Sequence, residues 1–402
     1  MRILLVSEDL PGAQVGGLGK HVVTLGNALL ARGHLVRILG RNDRGADGAA
    51  QIGFRGEFIP GFDYAHPGWK EQQLGVFNPL KRPYFARKIA AAIDRHAASF
   101  HVVHYHGHLP LVGLYVDPDI NFVQTRHDQG SECLVHLRFR DGGVCTTRAA
   151  RDCSACIRQD AGALRKTVTA LAVDGYRQAS ARAFAARKTV FVSDFLRRQF
   201  LRAVPGADLA RCRVIPNFVD YAALRAAAAS APAPRAGEVA LVGRIDAGKG
   251  FGEFLAAASG RLPAHARITI VGDGPERRRL EERHAGPQVR FVGWQAYPDA
   301  LALSARSQLC VVPSLCEEAC STTVLEALAL GKPVLALARG GTPELASYQH
   351  YPGQLQLSPS MAQLAAGLHA ALAAPPRRRP LLDRFGADAA IVIDRLVDLY
   401  AD

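Results

Sequence analysis

In "PSLCEEACSTTVLEALALGKPV", residues 313–334, Glu318 and Glu326 are separated by seven residues where a loop runs into an apolar helix. A carboxylate can accept from two hydroxyl donors, so such a pair suits a ligand rich in hydroxyls. Upstream, "LVGRIDAGKG" carries Arg244 and Lys249 on a short glycine-flanked loop at the end of a buried strand. Arginine offers a planar fork and lysine a point charge, and two cations there suit a diphosphate. Taken singly, each feature also has an ordinary explanation: solvated loop cations, a helix-terminal charge, an exposed helical glutamate.

Histidines supply a second set of candidates. His127, followed by Asp128, ends the strand-like "FVQTRHDQG", and open parallel sheets bind ligands at such carboxyl ends. "VVHYHGH" is another strand end; His106 is expected to face an acceptor, with structural roles for His104 and His108. In "AQVGGLGKHV", Gly16 and Gly17 would let the backbone approach an anion, or would simply make a strand-to-helix turn. Cys133, Cys145, Cys153 and Cys156 follow a C-x11-C-x7-C-x2-C pattern. They could close a structural zinc site or remain free thiols, since only the last pair has familiar zinc spacing.

These residues need a scaffold. Strand-like "RILLVS", "VVHYH", "INFVQT" and "TVFVS" alternate with helical stretches such as "LGKHVVTLGNALLARG", where Leu18, Val22, Leu25 and Leu29 share a face, predicting a parallel α/β sheet. After "RVIPNFVDYAALR", the segment "AAAASAPAPRAG" reads as a linker. The alternation then restarts in "EVALVGRI", "RITIVGDG", "VRFVGW" and "LCVVPS", predicting a second α/β domain. In the tail, Ile391, Ile393, Leu396, Val397 and Tyr400 are read as one helix face that needs a surface to cover.

A chain of 402 residues, 49% hydrophobic, can fill two cores. Its net charge of +13 favours an anionic partner: a phosphorylated ligand, an acidic membrane or nucleic acid. The first apolar run is short and meets Glu8 and Asp9 at once, unlike a secretory leader. No eighteen-residue apolar run occurs, so a cytoplasmic location is expected, with membrane contact at most peripheral at the inner face.

Gly243, Arg244 and Lys249 are joined, in fixed order, by "VSDFLRRQF", "VIPNFVD", "IVGDGPE", "VRFVGW", "PSLCEEACSTTVLEA" and "GGTPEL". This set resembles the retaining glycosyltransferases of family 4, from Arg2 to about Leu345. The resemblance implies a GT-B fold: two Rossmann-like, doubly wound α/β domains facing a deep interdomain cleft. Residues 1–215 would form the acceptor-side domain, with a C-terminal helix 385–402 packing back on it, and 216–384 the nucleotide-sugar domain.

The resemblance also implies roles. Glu318 would bond sugar hydroxyls and Glu326 the ribose hydroxyls; amides of Ala319, Cys320, Ser321 and Thr322, near a helix start, could donate to phosphates. Gly16, Gly17, Gly243, Gly272 and Gly293 would line the donor, and His127 would orient its sugar. Family members often carry glycine and an aromatic or proline after the first glutamate, so Ala319, Cys320 and Ser321 imply an unusual sugar pocket.

The implied reaction is transfer of a sugar from a UDP- or GDP-type nucleotide sugar to an acceptor hydroxyl, with retention and no metal required. Arg244 and Lys249 would stabilise the leaving diphosphate. A saccharide or lipid-linked saccharide acceptor, in cell-envelope polysaccharide or glycolipid synthesis, is suggested by "FNPLKRPYFARKIAAAIDRH". There Lys81, Arg82, Arg87 and Lys88 interleave with Phe77, Tyr84, Phe85 and Ile89, as an anionic membrane surface would require. Rival readings are a catalytically impaired sugar-binding protein of the same fold, and a basic nucleic-acid module. The second is disfavoured, because "LRFRDGG", "RQDAGALRK" and "RRRP" lack interleaved aromatics or a recognition motif, and no nucleic-acid partner is expected.

Overall fold

A computed structural model describes residues 1–11, 16–43, 53–65, 79–156, 162–376 and 380–402. The chain divides into two units: Met1–Arg138 with Cys145–Asn217 and Ala389–Asp402, and Phe139–Val144 with Phe218–Asp388.

The first unit is built on β1 (Arg2–Ser7), β2 (Leu35–Arg41), β3 (Glu57–Phe62), β4 (Val102–His106) and β5 (Phe122–Arg126). A short antiparallel hairpin, β6 (Phe139–Arg140) and β7 (Gly143–Val144), precedes β8 (Lys188–Phe191) and β9 (Cys212–Val214). The parallel sheet runs β3-β2-β1-β4-β5-β8-β9. Every residue of β4 and β5 is buried, as expected of strands covered by helices on both faces. Helix Gly17–Ala31 packs through Val22, Leu25 and Leu29, with His21 buried beside them.

In the second unit, β10 (Glu238–Val242), β11 (Arg267–Val271), β12 (Val289–Gly293), β13 (Leu309–Val312), β14 (Val334–Leu337) and β15 (Leu355–Ser358) form a parallel sheet in the order β12-β11-β10-β13-β14-β15. In both sheets the winding reverses beside the first strand, between β1 and β4 and between β10 and β13. Such switch points open a crevice at the strand carboxyl ends.

Two sequence expectations shift. The alanine run read as linker is helical: Tyr221–Ser230 is one helix, capped by the Asp220 carboxylate accepting from the Ala223 amide. Alanine has the highest helix propensity, and the side-chain cap fixes the start. The tail helix, Ala389–Ala401, buries Val392, Ile393, Leu396, Leu399 and Tyr400, whereas Ile391 is exposed. The assigned face was therefore rotated: 392, 396 and 399 follow the helical period, 391 and 397 do not. No described helix is long and apolar enough to cross a membrane.

Candidate active site

In the second unit the loops after β10 and β13 are stitched together. Asp246 caps the turn Ala247–Lys249 by accepting from the Lys249 amide, while the Gly248 carbonyl accepts from the Leu315 and Cys316 amides at 2.9 Å each. Gly250 has φ of 67°, and a Cβ there would lie 2.3 Å from the Pro313 carbonyl oxygen.

This stitching aims Lys249 at Glu318. Lys249 Nζ donates to Glu318 Oε1 at 2.6 Å, and Ser314 Oγ donates to the same oxygen at 2.6 Å. Burial, the largest single effect, opposes charge on both groups, but the partner's charge and the hydrogen bonds together outweigh it: the lysine is held above its ordinary pKa and the glutamate below its own. Arg244, by contrast, extends into solvent, its side chain 72% exposed and 3.5 Å from Asp246.

Glu318 is also fixed by its backbone. Its carbonyl accepts from the Gly341 amide at 2.7 Å, and a Cβ on Gly340 would come within 2.3 Å of that oxygen. Ala319, Cys320 and Ser321 lead into helix Thr322–Ala329, where Ser321 makes no side-chain cap. Glu326, on that helix, accepts from the Tyr297 hydroxyl at 3.3 Å. Ser314, Tyr297 and the Gly340–Gly341 pair were missed as site residues. Ser314 lies within "PSLCEEACSTTVLEA" and the glycines within "GGTPEL", whereas Tyr297 lies in none of the quoted motifs.

Gly272 has a demonstrable packing role: a Cβ there would fall 1.9 Å from the Gly243 carbonyl oxygen. Its amide donates to the Gly293 carbonyl at 2.8 Å, and the Gly243 amide to the Val271 carbonyl at 3.0 Å. The three glycines thus let the ends of β10, β11 and β12 approach one another.

In the first unit, Gly16 precedes helix Gly17–Ala31 with no side-chain cap and no acidic residue in the first turn. Among the described residues, a Cβ on Gly16 or Gly17 would meet no atom within 4 Å. An uncapped start of a fifteen-residue helix is compatible with an anion. Residues 13–15 of the same motif lie outside the described residues.

The histidines are packed rather than spread. His106 Nδ1 and His127 Nε2 lie 3.1 Å apart, and the His21 ring is 4.6 Å from that of His127. Burial, and then the neighbouring imidazoles, hold His106 and His127 well below the ordinary histidine pKa; burial takes His21 to about 3. His106 is fully buried, so it does not present an exposed face to an acceptor as expected. His104 is structural, bonded to the Tyr400 hydroxyl at 2.6 Å and to Thr125 at 2.7 Å. His108, 30% exposed, lies 2.6 Å from Asp128 and 3.8 Å from Asp9. Burial opposes its charge, but the neighbouring carboxylates, Asp128 foremost, together hold it well above the ordinary histidine value.

The structure does not gather the four cysteines into the zinc site that their spacing left open beside free thiols. Among the described residues, two groups bring three or more potential ligand atoms within 4.8 Å of one another, and neither contains a cysteine. A zinc tetrahedron with sulfur at about 2.3 Å would need tighter convergence. Buried arginines bind this irregular segment instead. Arg82 donates to the carbonyls of Gly130 and Leu134, Arg138 to those of Cys145 and Thr147, and Arg177 to those of Glu132 and Arg148.

The buried Arg82 also weakens the membrane reading. In helix Arg82–Ala97, Arg82, Phe85 and Ile89 are buried, Lys88 pairs with Asp63, and Arg87 stacks over Tyr115. The apolar face packs inward, and Phe77 lies outside the described residues. Of the stretches weighed for nucleic acid, residues 158–161 and 377–379 also lie outside them.

Two parallel, doubly wound sheets with a cation–carboxylate pair at the second switch point define a glycosyltransferase of the GT-B fold. The chain belongs to glycosyltransferase family 4, which it matches over residues 15–223; residues 236–373 match the glycosyl transferases group 1 domain. It is 29% identical over 368 residues to glycogen synthase of Mycobacterium tuberculosis, covering 86% of this chain and 80% of that one. Over 178 residues it is 30% identical to the 2-deoxystreptamine N-acetyl-D-glucosaminyltransferase of Streptomyces fradiae, with 40% and 41% covered. Among solved structures, Anabaena HepE in complex with UDP and glucose superposes with a TM-score of 0.64 at 16% identity, over 100% of this chain and 99% of that one. Sucrose-phosphate synthase of Thermosynechococcus elongatus gives 0.62 at 21%, over 99% and 94%.

Proposed function

We propose that this glycosyltransferase moves a sugar from a nucleoside-diphosphate sugar to a saccharide hydroxyl with retention of anomeric configuration. The reading rests most on Lys249, Glu318 and Ser314 converging at the carboxyl ends of β10 and β13. Glu318, kept anionic, accepts sugar hydroxyls; Glu326, steadied by Tyr297, accepts those of the ribose. Amides from Ala319 to Thr322 donate to the diphosphate, and Arg244 and Lys249 offset the charge on the leaving group. The bond from anomeric carbon to phosphate oxygen breaks as the bond to the acceptor oxygen forms on the same face. The acceptor's proton passes to the departing phosphate. His127, neutral, serves as a hydrogen-bond partner for the donor sugar rather than as a charge.

A UDP-type donor is favoured over a GDP-type one, because HepE binds UDP and UDP-glucose. The glycogen synthase relative supports a saccharide acceptor. A lipid-linked acceptor in envelope synthesis draws less support from helix Arg82–Ala97. The intact Lys249–Glu318 pair favours an active enzyme over an impaired sugar binder. A cytoplasmic setting, where nucleotide sugars are made, goes with this proposal.

A thermal-shift screen of UDP-, GDP- and ADP-sugars, then NMR of the product's anomeric coupling, tests it. Stabilisation by a nucleotide sugar and a product of the donor's own configuration are expected. An inverted product would overturn retention, and no response to any nucleotide sugar would overturn the donor assignment.

A further inference from the structure

The two groups of convergent potential ligands are His21, His106 and His127, and His108, Asp128 and His136. They differ chemically. Asp128 in the second group is already satisfied: His108 at 2.6 Å, the Gly130 amide at 2.7 Å and His136 at 3.3 Å share its oxygens. That group is a closed charge network. The first group contains no charge-balancing carboxylate, and His106 Nε2 is fully buried with no hydrogen-bond partner among the described residues.

We propose that His21, His106 and His127 form a binding site for one divalent transition-metal ion of the zinc, nickel or copper type. Imidazole nitrogens are favoured ligands for these metals. The rings come from three fixed elements: helix Gly17–Ala31, the end of β4, and the residue after β5. One nitrogen from each lies within 4.8 Å of the others. Zinc–nitrogen bonds of about 2.0–2.1 Å place tetrahedral ligand nitrogens roughly 3.3 Å apart, so the rings close inward by on the order of an ångström. His106 Nδ1 already lies 3.1 Å from His127 Nε2, and three imidazole ligands leave a fourth position for water. Metal binding does not depend on the transfer proposal, although an occupied site would withdraw His127 from any sugar and inhibit transfer.

Calorimetric titration of the metal-free full chain with Zn²⁺ tests the site. One equivalent is expected to bind, with affinity lowered at least about tenfold by His21→Gln and by His106→Gln and unchanged by His108→Gln. Wild-type affinity in both of the first two variants, or no binding to the wild type, would overturn the proposal. Because either variant could fold poorly, Co²⁺ is also titrated into the wild type. Visible ligand-field bands without sulfur-to-metal charge transfer are expected; a thiolate band would move the site to the cysteines and refute the histidine assignment.

Discussion

Lys249 Nζ lies 2.6 Å from Glu318 Oε1, joining the loop after β10 to the loop after β13, and neither side chain is more than a third exposed. The pair sets a charge of each sign where the second sheet changes winding direction.

Lys249→Ala and Arg244→Ala should each lower kcat by at least about tenfold, as when a partner of transition-state charge is removed. The variants should differ in stability. Lys249→Ala leaves Glu318 as a poorly solvated carboxylate and should cost about 1–3 kcal/mol in denaturant unfolding, whereas Arg244, mostly in solvent, should cost little. Turnover unchanged in folded protein would remove both from the leaving-group role.

Glu326→Ala should weaken binding of free nucleoside diphosphate, and Tyr297→Phe should do so by a smaller factor because it frees Glu326 from its hydroxyl partner. Glu318→Ala should instead impair use of the sugar while leaving nucleoside diphosphate binding close to wild type. Calorimetry with UDP separates them; a binding loss confined to Glu318→Ala contradicts the assignment.

Glu132 is buried, neither carboxyl oxygen has a hydrogen-bond partner among the described residues, and burial pushes its pKa to about 8. The folded state therefore keeps a proton that the unfolded state releases near the ordinary glutamate value of 4.5. Stability falls as pH rises between those two values, by up to roughly 5 kcal/mol. Glu132→Gln should flatten this decline in urea unfolding followed from pH 5 to 8. Parallel profiles for the two proteins would show that Glu132 is not the group responsible.

Tyr400→Phe removes the hydroxyl bonded to His104, leaving a buried imidazole nitrogen without that partner. A loss of about 1–2 kcal/mol is expected. Thermal unfolding checks it, and an unchanged midpoint would show that the Tyr400 hydroxyl contributes nothing to holding the tail helix.

By itself the sequence determined the fold class and marked the loops proposed to carry the donor chemistry. Runs such as "RILLVS" and "LCVVPS", apolar on both faces and regularly alternating with helical stretches, read as central parallel strands, and glycine, cation and glutamate motifs follow at their ends. Tertiary structure decided which charges are available. Linear order could not show that Arg82 is buried against carbonyls while Arg244 is mostly exposed to solvent, nor that Lys249 would find Glu318 sixty-nine residues away. It could not show that His21, His106 and His127, from three separate elements, share one pocket of neutral imidazoles. The reason is physical: propensity and periodicity act between near neighbours, whereas desolvation and charge pairing depend on which distant segments the packed sheet brings together.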